Sequence, residues 1–232
     1  YNKLIAFLYG WSFFAVIQTG TIAAVGVAFG KFTAYLIPEL GDQNILYEAG
    51  SFKLNAAQLV SIVTIVILTF INSRGVKSGK YIQTTFTIIK IASLLGLVVF
   101  GFILAAKADI WNDNWTDAWS AKSFDKDSGQ WINIGGTVLL SAIAASMVGS
   151  LFSSDAWNGV TFISGEIKNP QRNVGLSLFF GTLIVTVIYI LANIMYISVM
   201  PMDRIAFAPS ERVAVEASQF IFGTNGSYII AV

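Results

Sequence analysis

Cysteine and histidine are both absent from the 232 residues. Without cysteine there is no disulfide framework, no thiolate nucleophile and no cysteine-based metal site. Without histidine the chain lacks the usual general base at neutral pH and the commonest metal ligand. Charge is scarce as well. Asp, Glu, Lys and Arg make up 12% of the chain, against about 25% in a typical soluble domain. The 14 basic and 13 acidic residues nearly cancel to +1, and no Lys/Arg-rich block marks a nucleic-acid surface. No G-x-x-x-x-G-K-[ST] phosphate loop occurs. Nor is there a signal peptide: the chain opens at Tyr1 and enters an apolar run by Leu4, without a charged n-region or a cleavage site. Ser153 and Ser154 have no histidine to activate them as nucleophiles. These absences argue against an enzyme, and imply no cofactor, no metal and no nucleic-acid partner.

What the chain has is long apolar runs, with 55% hydrophobic residues. They cover about 4–37, 56–71, 81–106, 132–167 and 174–200, and a last run, 226–232, is cut short. The fold class expected is all-α: a polytopic helical bundle in the lipid bilayer, one transmembrane domain over 1–232, with five full crossings and the start of a sixth. Both ends fall inside apolar runs, so a fragment of a longer protein is expected. The first run is roughly 50 Å long as a helix, against a hydrocarbon core of about 30 Å, so it must tilt or protrude. Its Gly10, Gly20, Gly26 and Gly30 suit close helix packing. Backbone lining of a cavity near Gln18-Thr-Gly-Thr21 is the alternative.

The loops assign sides. The tight loops 72–80 and 166–173 are basic and belong in the cytoplasm by the positive-inside rule. The loops 38–55, 107–131 and 201–216 are longer, acidic or mixed, and belong outside. The tryptophans at 111, 115, 119 and 131 fit an interfacial belt. Asn114-Trp-Thr116 is formally a glycosylation sequon. Pro170 is expected to end the fourth helix, and Arg212 to Phe222 to form a short surface helix.

The organising stretch is 149–159, Gly-Ser-Leu-Phe-Ser-Ser-Asp-Ala-Trp-Asn-Gly. It lies mid-way along the run 132–167. Serine and aspartate side chains compete with the helix for backbone partners, and a carboxylate at bilayer depth must face protein or water. The expectation is a helix broken near 153–157, with freed peptide groups lining a polar cavity, as at transporter substrate sites. Asp155 has two readings. It is either an N-cap for the helix restarting near 156–158, the favoured one, or a ligand to a substrate ammonium or a protonatable gate. Phe152 either packs at the hinge or closes over substrate as a gate. Trp157 and Asn158 follow, and an asparagine offers both a donor and an acceptor. Lys90 sits near mid-membrane in the third run. It is either half of a structural ion pair or an internal cation standing in for a coupling ion. In the latter role it would repel Na⁺ and argue for ion-independent exchange.

Phe152-Ser-Ser-Asp-Ala-Trp-Asn158, continuing to Glu166-Ile-Lys-Asn-Pro-Gln-Arg-Asn173, resembles the sixth segment of L-type amino acid transporters, prokaryotic type. These belong to the amino acid–polyamine–organocation (APC) superfamily. Tyr9-Gly-Trp11 through Ile17-Gln-Thr-Gly-Thr-Ile-Ala-Ala24 is similar to their third segment, the run with Lys90 to their fifth, and Arg212-Val-Ala-Val-Glu216 to the stretch before their eighth. The resemblance implies a LeuT/APC-type inverted-repeat fold of twelve segments, of which this chain holds three to seven and the start of eight. It implies a substrate site over Phe152, Ser153, Ser154, Asp155, Ala156, Trp157 and Asn158, with Phe152 as gate, Asn158 beside the ligand and Lys90 as the ion-site surrogate. It also implies a first segment, absent here, whose glycine-serine-glycine turn binds the substrate carboxylate. Family members often carry glycines where this chain has Asp155 and Ala156, which points to small neutral L-amino acids. The implied activity is sodium-independent exchange by alternating access. A proton-coupled symporter and a non-transporting sensor are the alternatives. In some relatives an accessory glycoprotein attaches by a disulfide, and this chain has no cysteine for one.

Overall fold

The computed structural model describes residues 2–50, 52–125, 128–155, 157–209, 212–223 and Gly226. Ala156 and the expected last run beyond Gly226 lie outside the described residues. Five helical spans are long and apolar enough to cross a membrane: Lys3–Leu36, Ala56–Ser73, Gly79–Ala105, Gly136–Phe162 and Pro170–Val199. The chain is a multi-pass membrane protein. It divides into two units, residues 1–93 with 222–232 and residues 94–221.

In the first unit, helix α1 (Lys3–Ser12) runs through a π-helical turn, Phe13–Gln18, into α2 (Thr19–Leu36). Asn2 caps the start, its Oδ1 accepting from the Ile5 N–H at 2.9 Å. The expected outer loop 38–55 holds a 3₁₀ turn at Pro38–Leu40 and an antiparallel hairpin of β1 (Ile45–Ala49) and β2 (Phe52–Asn55). Helix α3 (Ala56–Ser73) then starts on a capping box in which Asn55 and Gln58 satisfy each other's backbone N–H. Two of the four glycines explain how α2 meets α3. A Cβ on Gly30 would run into the Ala57 carbonyl, and one on Gly26 would lie 2.9 Å from Ile65 Cδ1. Ser61 Oγ, buried between the helices, donates across to the Gly26 carbonyl. Close approach of this kind is how helices associate in lipid, where the solvent gives no hydrophobic drive. Gly10 and Gly20 have open space around them and do not serve this contact. The expected loop 72–80 shrinks to Arg74-Gly75, because α4 (Val76–Phe100) already begins at Val76. Gly75 makes the turn with φ +123°, a conformation that favours glycine.

The second unit is built around α8 (Pro170–Val199), 30 residues long. Chain order before it is the end of α4, a π-helical turn (Gly101–Ala105), α5 (Ala108–Thr116), a hairpin of β3 (Lys122–Asp125) and β4 (Gln130–Asn133), α6 (Gly136–Ser154), α7 (Gly159–Phe162) and a 3₁₀ turn, Ser164–Glu166. After it come α9 (Met202–Ala206) and α10 (Val213–Phe222). The core gathers at the C-terminal end of α8, where Leu97, Met195, Val199, Met200 and Ala217 are all at most 2% exposed.

Several expectations change here. Pro170 does not end the fourth helix but opens α8 at its first position. That is where proline fits, since the missing N–H has no intrahelical partner anyway. Asn169 before it takes the left-handed conformation, φ 51°. Helix α10 is no surface helix: Val215, Glu216, Ala217 and Ser218 are buried. Trp131 also holds structure together. Its Nε1 donates to Asp203 Oδ1 at 3.0 Å, and its ring packs with Phe124 at 5.5 Å and Phe207 at 5.8 Å.

The sequon residue Asn114 is a structural staple. A helix leaves its last carbonyls without intrahelical donors. At the end of α8, Asn114 Nδ2 donates to both Ile197 O and Met200 O at 2.8 Å. Its Oδ1 accepts from the Met202 N–H at 3.0 Å, at the start of α9. The Lys107 N–H takes Ser198 O at 3.1 Å. Both amide hydrogens of Asn114 are engaged, which leaves none to be replaced by a sugar. Asn114→Ala removes three hydrogen bonds and leaves buried carbonyls bare, at a cost of about 1–3 kcal/mol. The expected outcome is a lower Tm in detergent. Thr116→Ala, which destroys the same sequon but only an i−4 bond to Asn112 O, leaves Tm unchanged.

Candidate functional site

Helix α6 stops at Ser154 for local reasons. Ser153 Oγ donates back to Ser150 O at 3.0 Å, and Ser154 Oγ to the same carbonyl at 2.7 Å. Two hydroxyls on one carbonyl weaken the last turn. Asp155 then leaves the helix with φ −70° and ψ −179°, its N–H reaching Phe152 O only at 3.4 Å. The chain resumes as α7, a single turn of four residues. Tyr189 on α8 crosses to the break, its hydroxyl donating to Ser153 O at 3.3 Å.

The structure places the expected site residues as follows. Phe152, Ser153 and Ser154 form the last turn of α6, exposed. Asp155 is exposed and occupies the C-cap position of α6. The N-cap role given to it belongs to Asn158, whose own side chain makes no capping bond. The physical reason is spacing. An N-cap side chain reaches N–H groups two or three residues on, and α7 starts only at Gly159. Among the described residues of its unit, no Lys or Arg lies within 4.0 Å of the Asp155 carboxylate. Trp157 is exposed. Asn158 is partly buried, and its Oδ1 is shut off from solvent with no donor among the described residues.

Lys90 stands near the middle of the Gly79–Ala105 span, exposed. It belongs to the first unit and the break to the second. The structural ion pair weighed for it finds no carboxylate within 4.0 Å among the described residues of its own unit.

The break therefore has one electrical sign. A helix C-terminus carries about half a negative charge in its carbonyls. Asp155 adds a full one, and the orphaned Asn158 Oδ1 adds another acceptor. The serine hydroxyls direct their protons inward to Ser150 and present lone pairs outward. The four-residue α7 is too short to oppose this with a macrodipole of its own. Such a surface suits an ammonium group. Sequence reasoning missed Tyr189, whose only signal was a lone phenol inside an aliphatic stretch. It also missed the π-helical turn at Phe13–Gln18, where Thr19 Oγ1 holds the Phe14 carbonyl at 3.0 Å. Turns of this type recur near functional sites.

The description "Amino acid permease" matches residues 1–232, the whole chain. The chain belongs to the amino acid permease family. The permease is thus a member of the APC superfamily. It is 26% identical to rabbit b(0,+)-type amino acid transporter 1 over 98% of this chain and 40% of that protein. It is 26% identical to the serine/threonine exchanger SteT of Bacillus subtilis over 100% of this chain and 45% of that protein. The large neutral amino acids transporter small subunit 2 of mouse is 22% identical over 96% of this chain and 36% of its own length. The permease chain spans roughly two fifths of the length of these curated relatives.

Tyr189→Phe removes the donor that holds Ser153 O. One hydrogen bond is worth about 1 kcal/mol net, so the last turn of α6 opens about fivefold more often. Hydrogen–deuterium exchange of its amides is expected to accelerate by that factor, with the amides of α8 unaffected. Equal protection in both proteins would show that Tyr189 does not secure the break.

Proposed function

We propose that this permease carries amino acids across the membrane by alternating access, as a sodium-independent exchanger and not as an enzyme. The observation that carries this reading is α6, severed inside an apolar span with acceptors left unpartnered at the cut. Unpaired polar groups at membrane depth are expensive, and they are kept where a ligand completes them. The acceptors at Asp155 and Asn158 fit the ammonium end of an amino acid. The carboxylate end falls to the glycine-serine-glycine turn that the family resemblance implies for a first segment. The names of the relatives, an exchanger among them, support the same class.

Phe152 is the gate in this reading. It sits on the last helical turn before the cut, 55% exposed, where a swing of the ring covers or uncovers the break. Lys90 supplies a fixed positive charge inside a span. Bound Na⁺ would have to share that region with an ammonium, so sodium coupling is disfavoured. The bulk of Asp155 and Ala156, where resembling transporters carry glycines, supports small substrates. The expectation of neutral substrates rested on the same bulk, and bulk limits size, not charge.

Two measurements on the full-length protein in proteoliposomes test the reading. Phe152→Ala is expected to slow amino acid counterflow about tenfold or more, with Tm unchanged. Wild-type flux from this variant would remove the gate. Replacing external Na⁺ with choline is expected to leave the exchange rate where it was. A large drop would defeat the role of Lys90, and binding of amino acid without any counterflow would make the protein a sensor.

A further inference from the structure

We propose that the turn between α3 and α4 is a docking surface for anionic phospholipid, with Arg74 and Lys80 holding the headgroup phosphate. This surface is independent of the transport reading and of the cut in α6.

The charges of the first unit are sorted by side. Among residues 1–93 the acids are Glu39, Asp42 and Glu48, and all lie in the loop 38–55, which the positive-inside rule sets outside. The turn at the opposite end of α3, Arg74-Gly-Val-Lys-Ser-Gly-Lys80, has three cations and no acid. The span Lys3–Leu36 leads outward and Ala56–Ser73 leads back, so Lys3 starts from the same side as this turn. In the outer loop, Lys53 pairs with Glu48 at 2.7 Å. Arg74 and Lys80 are exposed, and neither has a carboxylate within 4.0 Å among the described residues of their unit.

The turn keeps these cations together. Helix α3 closes on Arg74, whose N–H donates to Ile71 O at 3.1 Å, and the Gly75 N–H follows to Asn72 O at 3.2 Å. The chain enters α4 so closely that a Cβ on Gly79 would run into Asn72 Oδ1. Lys80 is thereby held beside the end of α3. Arg74 lies with its Cζ 4.5 Å from the centre of the Phe70 ring. A guanidinium stacked on a ring keeps its N–H edge free, and that flat fork matches two oxygens of a phosphate. Phe70 and Tyr81, which flank the turn in sequence, are both exposed.

Position chooses the occupant. The cations follow one span and open the next, which sets them at the headgroups of the cytoplasmic leaflet, where anionic lipids gather. Exposed aromatic rings beside them belong at the same level of the bilayer. A free phosphate or a soluble acidic peptide would use the cations and leave the rings idle, whereas a phospholipid uses both. Each cation near such a surface is worth about fivefold in affinity, and salt screens it.

Lipid retained by the immobilised full-length permease is measured in detergent micelles containing phosphatidylglycerol or phosphatidylcholine. The wild type is expected to retain phosphatidylglycerol at least tenfold better, with the preference falling as salt is raised. Arg74→Gln/Lys80→Gln loses most of the preference at unchanged Tm in lipid-free detergent. Lys53→Gln, in the outer loop, keeps it. Inorganic phosphate at the concentration of the lipid displaces nothing. Equal retention of the two lipids by the wild type overturns the proposal, and so does a preference that salt leaves untouched; neither result depends on a variant folding. An unchanged preference in the double variant overturns it too, as does its loss from Lys168→Gln/Arg172→Gln instead. Displacement of the lipid by inorganic phosphate would make the turn a free-anion site and end the lipid assignment.

Discussion

A peptide group inside lipid has no water to bond, so every N–H and C=O there must find a partner in the protein or in something the protein binds. The permease ends two of its spanning helices in opposite ways under this constraint. At the end of α8 the freed carbonyls are taken up one after another. The Met200 N–H takes Tyr196 O at 2.9 Å, Asn114 takes Ile197 O and Met200 O, and Lys107 takes Ser198 O. At the end of α6 the donors are few and distant. Asp155 and Tyr189 reach Phe152 O and Ser153 O at 3.4 and 3.3 Å. The first end is closed by the Asn114 side chain and the backbone N–H groups of Lys107 and Met200. The second stays open.

That contrast divides the second unit into a fixed part and an open one. The fixed part is the buried end of α8, with Met195 filling the space left by Gly101. The hairpin of β3 and β4 is tied to it through Trp131, Asp203 and Phe207. Arg204 pairs with the buried Glu216 at 3.4 Å, which fastens α9 to α10. Helix α6, by comparison, buries no residue. It enters through Gly135-Gly136, where φ of Gly136 is +58°, and leaves at the cut. A helix with few packed neighbours is the kind of element that moves at low cost.

Much of this was legible in the sequence, for reasons that differ by residue. The membrane-crossing bundle follows from the length of the apolar runs, which only helices can satisfy in lipid. The cut in α6 follows from three consecutive helix-competing side chains at 153–155. What escaped reading depended on partners distant in sequence. The strands of the hairpins at 45–55 and 122–133 are only four or five residues long, too short for alternation to mark them. The burial of α10 was hidden because Val213-Ala-Val-Glu-Ala-Ser carries a charge and small residues, and its core side is set by packing on other elements. Asp155 was read as a cap because aspartate is a preferred cap in general. Only the coordinates fix where the next helix starts, and Asn158 stands nearer to it. The staple at Asn114 looked like a surface sequon because three residues cannot reveal bonds to residues more than 80 positions away.

The failure of the cap is the more informative outcome. A capping aspartate would have its charge answered by the N–H groups of the following helix, and the break would be nearly neutral. With α7 reduced to one turn and Asn158 in the cap position, the charge of Asp155 stays unanswered within its unit. The two halves of a broken helix ordinarily offer opposite poles, one to each end of a zwitterion. Here the positive pole is all but missing, and the negative one is strengthened by a full carboxylate. On the transport reading proposed above, the cut in α6 is half of a binding site in an electrical sense as well as a spatial one. On that reading its acceptors take the ammonium end of an amino acid, and the carboxylate end is gripped from a second element.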